Sequence, residues 1–215
     1  MSREDDLQRW EEESTPLSQM RGVLTFDYNN LMVLVQAGVA DVAAVLADLR
    51  GGHVVAEPTE VQLEASRRPC LVFRLKGHVW SYVFERYQSR SPFGESEAQG
   101  LSASLQTKAL SYGVSDVADA LGYALFEKGE LIEQMETDEG FEISSFASQT
   151  HALTGDDLGE LDVQEWVHQF FKDLDALEPG MRFMPLHARD TAASMSDAFG
   201  ALVDDLDGWT YVLVD

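Results

Sequence analysis

The sequence is poor in cysteine, in long apolar runs and in basic residues, and each shortage excludes a class of protein. Cys70 is the only cysteine among 215 residues, which excludes intramolecular disulfides and the thiolate cages that bind zinc through several sulfur atoms. No stretch reaches the roughly 18 consecutive apolar residues of a membrane span, and the start MSREDDLQRWEEES lacks the apolar run of a secretory signal. We therefore expect a cytoplasmic protein that does not enter membranes.

Basic residues are outnumbered by acidic ones, 15 against 38, which gives a formal net charge of -23. Such a field repels phosphate, so we expect no direct binding to nucleic acid. The charge is unevenly distributed, because residues 1–20 carry a net charge of -4, residues 21–90 carry +1, and residues 91–215 carry -20. We expect the basic cluster of the middle segment to face the acidic half across one core. Its members are Arg67, Arg68, Arg74, Lys76, Arg86 and Arg90.

Apolar residues make up 45% of the chain and aromatic residues 10%, enough for a well-packed core. Residues 1–20 have mixed charge and little periodicity, and we interpret them as a flexible arm. No low-complexity linker divides the remainder. We therefore expect residues 21–215 to form a single domain.

Residue periodicity predicts an α+β fold with a predominantly antiparallel sheet, room for one parallel crossover, and about four covering helices. The helices are predicted at 38–50, 97–108, 163–177 and 191–206. Glycines and short apolar runs predict the strands, with a hairpin at Lys128-Gly129 and an acidic loop at 154–161. The predicted strands are 53–57, 60–66, 70–76, 78–87, 109–114, the two arms of the Lys128-Gly129 hairpin, 141–147, 181–186 and the terminal WTYVLV.

The stretch RLKGHVWSYVFERY at 74–87 combines cations with aromatic residues, as a nucleic-acid-binding ribbon would. Its period of two places apolar groups on both faces, which is typical of a strand inside a sheet. We favour a structural hairpin with 70–75, in which Arg74 and Lys76 lie near the turn and the rings lie in the core.

The motifs of several large enzyme classes are absent: the glycine elbow around a nucleophilic serine, the phosphate-binding loop that ends in lysine, the dinucleotide fingerprint and the paired histidines of zinc proteases. No cofactor or metal is therefore expected. The best catalytic candidate is Asp116, which follows the predicted strand 109–114, with His187 or His151 as its partner. The alternative interpretation of Asp116 is a helix N-cap.

The function that we favour from the sequence is a non-enzymatic cytoplasmic protein that binds a basic protein, as an inhibitor, an immunity-type protein or a chaperone-like carrier. A hydrolase or small-molecule-binding enzyme that uses Asp116 and a histidine is the first alternative, and a DNA-mimic inhibitor is the second. The oligomeric state is left open. The predicted partner-binding residues are Glu136, Asp138, Glu139, Asp156, Asp157, Glu160, Asp204, Asp205 and Asp207.

Overall fold

A computed structural model describes residues 30–85, 94–115, 120–174 and 206–215. Nine strands and five α-helices lie in these ranges. The strands are β1 Asn30–Val35, β2 His53–Val55, β3 Cys70–Leu75, β4 Ser81–Glu85, β5 Lys108–Ser115, β6 Ala120–Glu127, β7 Glu130–Thr137, β8 Ile143–Ser148 and β9 Leu206–Leu213. The helices are α1 Val39–Arg50, α2 Glu60–Ala65, α3 Glu95–Leu105, α4 Gly155–Glu160 and α5 Val163–Asp173, with a 3₁₀ turn at Glu139–Phe141.

All nine strands form one sheet in the order β2-β9-β3-β4-β1-β5-β6-β7-β8, and every pairing is antiparallel. The predicted α+β class is therefore confirmed. The crossover from β4 through α3 to β5 returns the chain in the same direction, but β1 lies between these two strands and pairs antiparallel with both. The crossover that the sequence allowed for is therefore present, but the two strands that it joins are not paired with each other.

Helices cover both faces of the sheet. This explains why consecutive residues of its central strands are apolar, although they point to opposite faces. In β1, Val33 packs with α1 and α3 on one face, whereas Leu34 packs with α5 on the other. The α5 helix, which lies within the helix predicted at 163–177, buries one stripe of residues at helical spacing. They are Val163, Val167, Phe170 and Phe171.

The β3–β4 hairpin is confirmed, with Phe73 opposite Tyr82 and Arg74 opposite Ser81. The rings of Phe73 and Tyr82 stack with centroids 5.0 Å apart. Trp80 is buried, and its indole Nε1 donates a hydrogen bond to the carbonyl oxygen of Leu174 at 3.1 Å. These rings therefore belong to the core, as the alternation of the sequence predicted.

Two element predictions were wrong for the same physical reason, a capping box. A strand was predicted at 60–66, but Glu60–Ala65 form α2, because Thr59 and Gln62 exchange side-chain and backbone hydrogen bonds at its start. The predicted acidic loop at 154–161 contains α4, which Thr154 and Asp157 cap in the same way. Both helices have six residues, too short for a periodic apolar stripe.

The central strand β1 was not predicted, and the remaining described strands and helices occur where predicted, with boundaries that differ by up to four residues. The helix predicted at 97–108, for example, spans Glu95–Leu105, and Lys108 already belongs to β5. Helix α1 ends at Arg50, as predicted, and its C-cap Gly51 has a left-handed φ of 64°. The hairpin at Lys128-Gly129 continues through β8 as a meander. The strand predicted at 181–186 and most of the helix at 191–206 lie outside the described residues, but Leu206 begins β9 and is not helical. The arm at 1–20 and the single domain at 21–215 stay predictions.

Candidate functional site

Carboxylates concentrate at one end of the sheet, where β7 and β8 are the last two strands. Residues 120–174 contain 13 acidic residues against two basic ones. Seven exposed acids, on β7, in the β7–β8 turn and on the helix that follows β8 in the chain, are together called the acidic sheet end. They are Glu136, Asp138, Glu139, Glu142, Asp156, Asp157 and Glu160.

Six of the predicted partner-binding residues belong to the acidic sheet end, and one lies elsewhere. Asp207 is on β9, six strand positions from β7, which is roughly 29 Å at about 4.8 Å per strand. Its Oδ2 atom accepts hydrogen bonds from Arg74, with Nε at 3.0 Å, so its charge is already paired. Asp204 and Asp205 lie outside the described residues, as do the catalytic candidates Asp116 and His187.

Within the acidic sheet end, the carboxylates differ in what they contact. Asp157 accepts hydrogen bonds from the backbone N–H of Thr154 at 2.8 Å and from its hydroxyl at 2.6 Å, and these bonds lower the pKa of Asp157. Glu136 accepts a bond from the Gln134 amide at 3.1 Å. In the described part of the chain, none of these acidic side chains forms an ion pair with a cation.

Arg50, Arg68 and Arg74, in contrast, form ion pairs with acids of the same chain. Glu97 on α3 accepts a hydrogen bond from Arg50 at 2.9 Å and lies 3.4 Å from Arg68. With the Arg74–Asp207 pair, two members of the basic cluster face acids of the C-terminal three-fifths, as expected. Arg67 and Lys76 are exposed, and Arg86 and Arg90 lie outside the described ranges.

Beside the acidic sheet end lies a buried carboxylate that the sequence interpretation missed. The side chain of Glu133 on β7 is 0% exposed, and four polar groups surround it. Its Oε1 atom accepts a hydrogen bond from the Tyr123 hydroxyl at 2.8 Å. Its Oε2 atom accepts bonds from the hydroxyls of Ser148 and Thr150, the latter at 3.0 Å, and from Nδ1 of His151 at 2.6 Å.

The contacts extend from the sheet to α5 through Tyr123. The indole Nε1 of Trp166 donates to the Tyr123 hydroxyl oxygen at 2.9 Å, and the Tyr123 ring stacks on Phe170 at 4.2 Å. Trp166 also meets the His151 ring edge to face at 5.2 Å. We call this set the Glu133 network. It comprises Tyr123, Glu133, Ser148, Thr150, His151 and Trp166.

The network fixes the protonation of its members. Burial alone would raise the pKa of Glu133, but hydrogen bonds from Ser148, His151, Tyr123 and Thr150 outweigh it and lower the pKa below the ordinary glutamate value. An ionised carboxylate only accepts hydrogen bonds, so Nδ1 of His151 carries a proton. Burial raises the pKa of Tyr123, the Trp166 hydrogen bond opposes this effect, and the Glu133 charge adds to it, which keeps the phenol protonated.

The backbone after β8 is held by the same residues. The Ser148 hydroxyl oxygen accepts the backbone N–H groups of Thr150 at 3.0 Å and His151 at 2.8 Å while its proton goes to Glu133. His151, 44% exposed in its side chain, is thereby oriented at the surface by a buried anion. This is the arrangement by which a carboxylate selects the tautomer and direction of a catalytic or ligand-binding imidazole.

A signal for Glu133 was present in the sequence. In LIEQMET, Glu133 and Met135 are two residues apart and share one face of the strand, and Met135 is in the core. A glutamate at a core-facing strand position needs partners, because an unpaired buried charge is very costly. The partners Ser148, Thr150 and His151 could not be identified before the β7–β8 register was known.

In the described ranges, no group of three or more histidine, cysteine, aspartate or glutamate side chains is placed to hold a metal ion. The described helices include none with the length and apolarity needed to span a bilayer. No protein family, curated protein or solved structure matches this chain.

Proposed function

We propose that the chain is a non-enzymatic binding protein that engages a basic protein through the acidic sheet end, as an inhibitor, an immunity-type protein or a chaperone-like carrier does. The observation that supports the proposal is a difference in ion pairing between the basic and the acidic residues. In the described residues, Arg50, Arg68 and Arg74 pair internally, whereas the seven carboxylates of the acidic sheet end form no ion pair with a described cation. An excess of one sign on one side steers a partner of opposite charge and accelerates association.

The single cysteine supports a cytoplasmic setting for this function. Cys70 is buried in β3 and forms no disulfide in the described part of the fold. We therefore propose that the partner is also a cytoplasmic protein. Its surface should be rich in lysine and arginine, because the complementary surface is acidic.

The test is affinity capture from a lysate of the native organism, at about 50 mM and about 300 mM salt, followed by mass spectrometry. Exposed charge pairs are screened over roughly 10 Å at 0.1 M salt, so a stoichiometric basic protein should be captured at low salt and reduced at high salt. A captured nuclease or DNA-binding protein would assign the DNA-mimic form of the same function. Capture of no basic protein at either salt concentration contradicts the proposal.

A matched pair of variants makes the capture specific for the surface. Each variant neutralises two aspartates and two glutamates by amide substitution, so both change the net charge equally. We expect about a ten-fold loss of captured partner for the first and little change for the second. The first variant changes Asp138, Glu139, Asp156 and Glu160, and the control changes the exposed acids Asp41, Asp48, Glu57 and Glu64 on and beside α1 and α2.

A second candidate function, an enzyme or small-molecule site, is favoured by the Glu133–His151 pair. A neutral His151 with its proton on Nδ1 leaves Nε2 as an acceptor, which is the state required of a general base. Purified protein would be assayed against panels of activated carboxylic and phosphoric esters. An activity that disappears in His151→Ala while the circular dichroism spectrum is retained would support this candidate, and no turnover on either panel would reject it for hydrolysis of these esters.

A further inference from the structure

The outer edge of β8 is a row of backbone groups with no strand beside it among the residues that the structure describes. The backbone N–H of Gln149 donates to the carbonyl oxygen of Ile132 on β7 at 2.8 Å. In an antiparallel ladder, alternate residues direct their N–H and C=O groups to opposite sides. From the register of β7 and β8, Ser145 and Ala147 bond toward β7, and Phe146 and Ser148 direct their backbone groups outward.

This edge lacks the features that usually protect sheet edges. Natural edge strands carry lysine, proline, inward charges or bulges that prevent another strand from pairing. The β8 sequence ISSFAS contains no charged residue and no proline, and its one irregularity, between Glu136 and Thr137 on the β7 side, lies near the first residues of β8. Ser144, Ser145 and Ala147 are exposed and small, so they present no steric barrier.

The edge is also held in place before any partner arrives. Ser148 donates to Glu133 and accepts the N–H groups of Thr150 and His151, and the Phe146 ring meets Trp166 edge to face at 6.0 Å. The last residues of β8 are thereby fixed against α5 and the buried carboxylate. A preorganised edge loses little conformational freedom when a strand is added.

We propose that β8 accepts an extended, basic segment of the protein partner as a tenth strand of the sheet. The inference rests on the proposed function for the charge of the partner and adds how the partner is held. Main-chain hydrogen bonds to an exposed edge supply affinity, and alternate side chains supply specificity. Glu136 and Ser145 lie on one face, where the Ser145 hydroxyl donates to Glu136 at 3.4 Å, and Phe146 lies on the other. A segment that alternates cationic with apolar residues matches both faces.

A second copy of the chain fits this edge less well. Pairing two β8 strands would bring two acidic sheet ends together, each from a chain of net charge -23. Like charges across an interface oppose association, most strongly at low salt. The negative charge of the chain therefore favours a basic partner segment over self-pairing.

The test uses the full chain and an eight-residue probe peptide that alternates lysine with valine. Its control is the same peptide N-methylated at its four central residues, which keeps the charge and removes the N–H groups that a ladder needs. At about 50 mM salt we expect the unmodified peptide to bind at least about ten-fold more tightly than the control, since several ladder bonds are lost. Hydrogen exchange should slow at the amides of Phe146 and Ser148 only with the unmodified peptide.

Two substitutions at one residue test the edge from the protein side. Phe146→Pro and Phe146→Ala both remove the ring, but only proline removes the outward N–H, which no ladder bond to β7 uses. We expect the proline variant to bind the peptide about five-fold more weakly than the alanine variant. If Phe146→Pro does not fold by circular dichroism, the comparison of the two peptides on the unsubstituted chain decides.

The outcomes separate this inference from the proposed function. Equal binding of both peptides would overturn strand addition and leave electrostatic recognition of a basic partner in place. No binding of either peptide, with no basic protein captured from lysate, would overturn both. A concentration-dependent dimer that Phe146→Pro abolishes, and that the peptide does not disrupt, would assign the edge to a second copy and overturn the inference.

Discussion

Glu133 and His151 form a pair in which a fully buried carboxylate lies 2.6 Å from the Nδ1 atom of a ring that is 44% exposed. The pair connects the interior of the sheet to its surface at the end where the exposed acids concentrate. Because Tyr123, Ser148 and Thr150 also donate to Glu133, the carboxylate organises three strands and the segment after β8. Its contribution can be measured directly.

Replacing Glu133 with glutamine should lower the free energy of unfolding by about 2–4 kcal/mol, because the amide places a donor where an anion accepted several hydrogen bonds. The measurement is urea denaturation at pH 7. Glu136→Gln is the control, since Glu136 is an exposed residue of the same strand. The control should change stability by less than about 0.5 kcal/mol. Equal effects of the two substitutions would show that the buried network contributes nothing specific.

The stabilisation by Glu133 should depend on pH with a defined sign. Its pKa is lower in the folded protein than the ordinary value of about 4.3. Its contribution is therefore fully present above the unfolded pKa and is lost as pH falls through the folded pKa. Urea midpoints of the unsubstituted chain and Glu133→Gln should differ most near neutral pH and converge below about pH 4. A difference that grows on acidification would contradict the direction of the shift.

The Tyr123 hydroxyl links Trp166 on α5 to Glu133 on β7. Its removal takes away the acceptor of the Trp166 indole N–H and the donor to the Oε1 atom of Glu133. Tyr123→Phe should destabilise the fold by about 1–3 kcal/mol. Trp166→Phe removes the indole donor, and the double variant should lose less than the sum of the single losses. The measurement is a double-mutant cycle from urea unfolding. Strict additivity would show that the Trp166–Tyr123 contact carries no coupling.

The elements that could be predicted are those for which one sequence pattern is strong. The α5 stripe, with Phe170 and Phe171 in the core, follows from helical spacing, and the Lys128-Gly129 hairpin follows from its glycine and flanking apolar runs. Short helices were missed because six residues are too few for a periodic stripe, and only capping boxes at Thr59 and Thr154 mark them.

The site was less predictable, because it depends on register between segments that are distant in sequence. Acids such as Asp138 can be identified from composition, but their position at the last two strands of the sheet requires the fold. The Glu133 network requires Ser148 to lie opposite Glu133 and α5 to place Trp166 over Tyr123. No local spacing in the sequence encodes either relationship.

Asp207, although predicted as a partner-binding residue, should prove dispensable for partner capture. It pairs with Arg74 and lies six strand positions from β7, so its substitution leaves the acidic sheet end intact. Asp207→Asn should cost at most about 1 kcal/mol of stability, since both side chains of the pair are partly exposed. Capture at low salt should equal that of the unsubstituted chain. If Asp207→Asn reduces capture as strongly as the four-residue variant at Asp138, Glu139, Asp156 and Glu160, the binding surface must extend to β9, and the partner would have to span the width of the sheet.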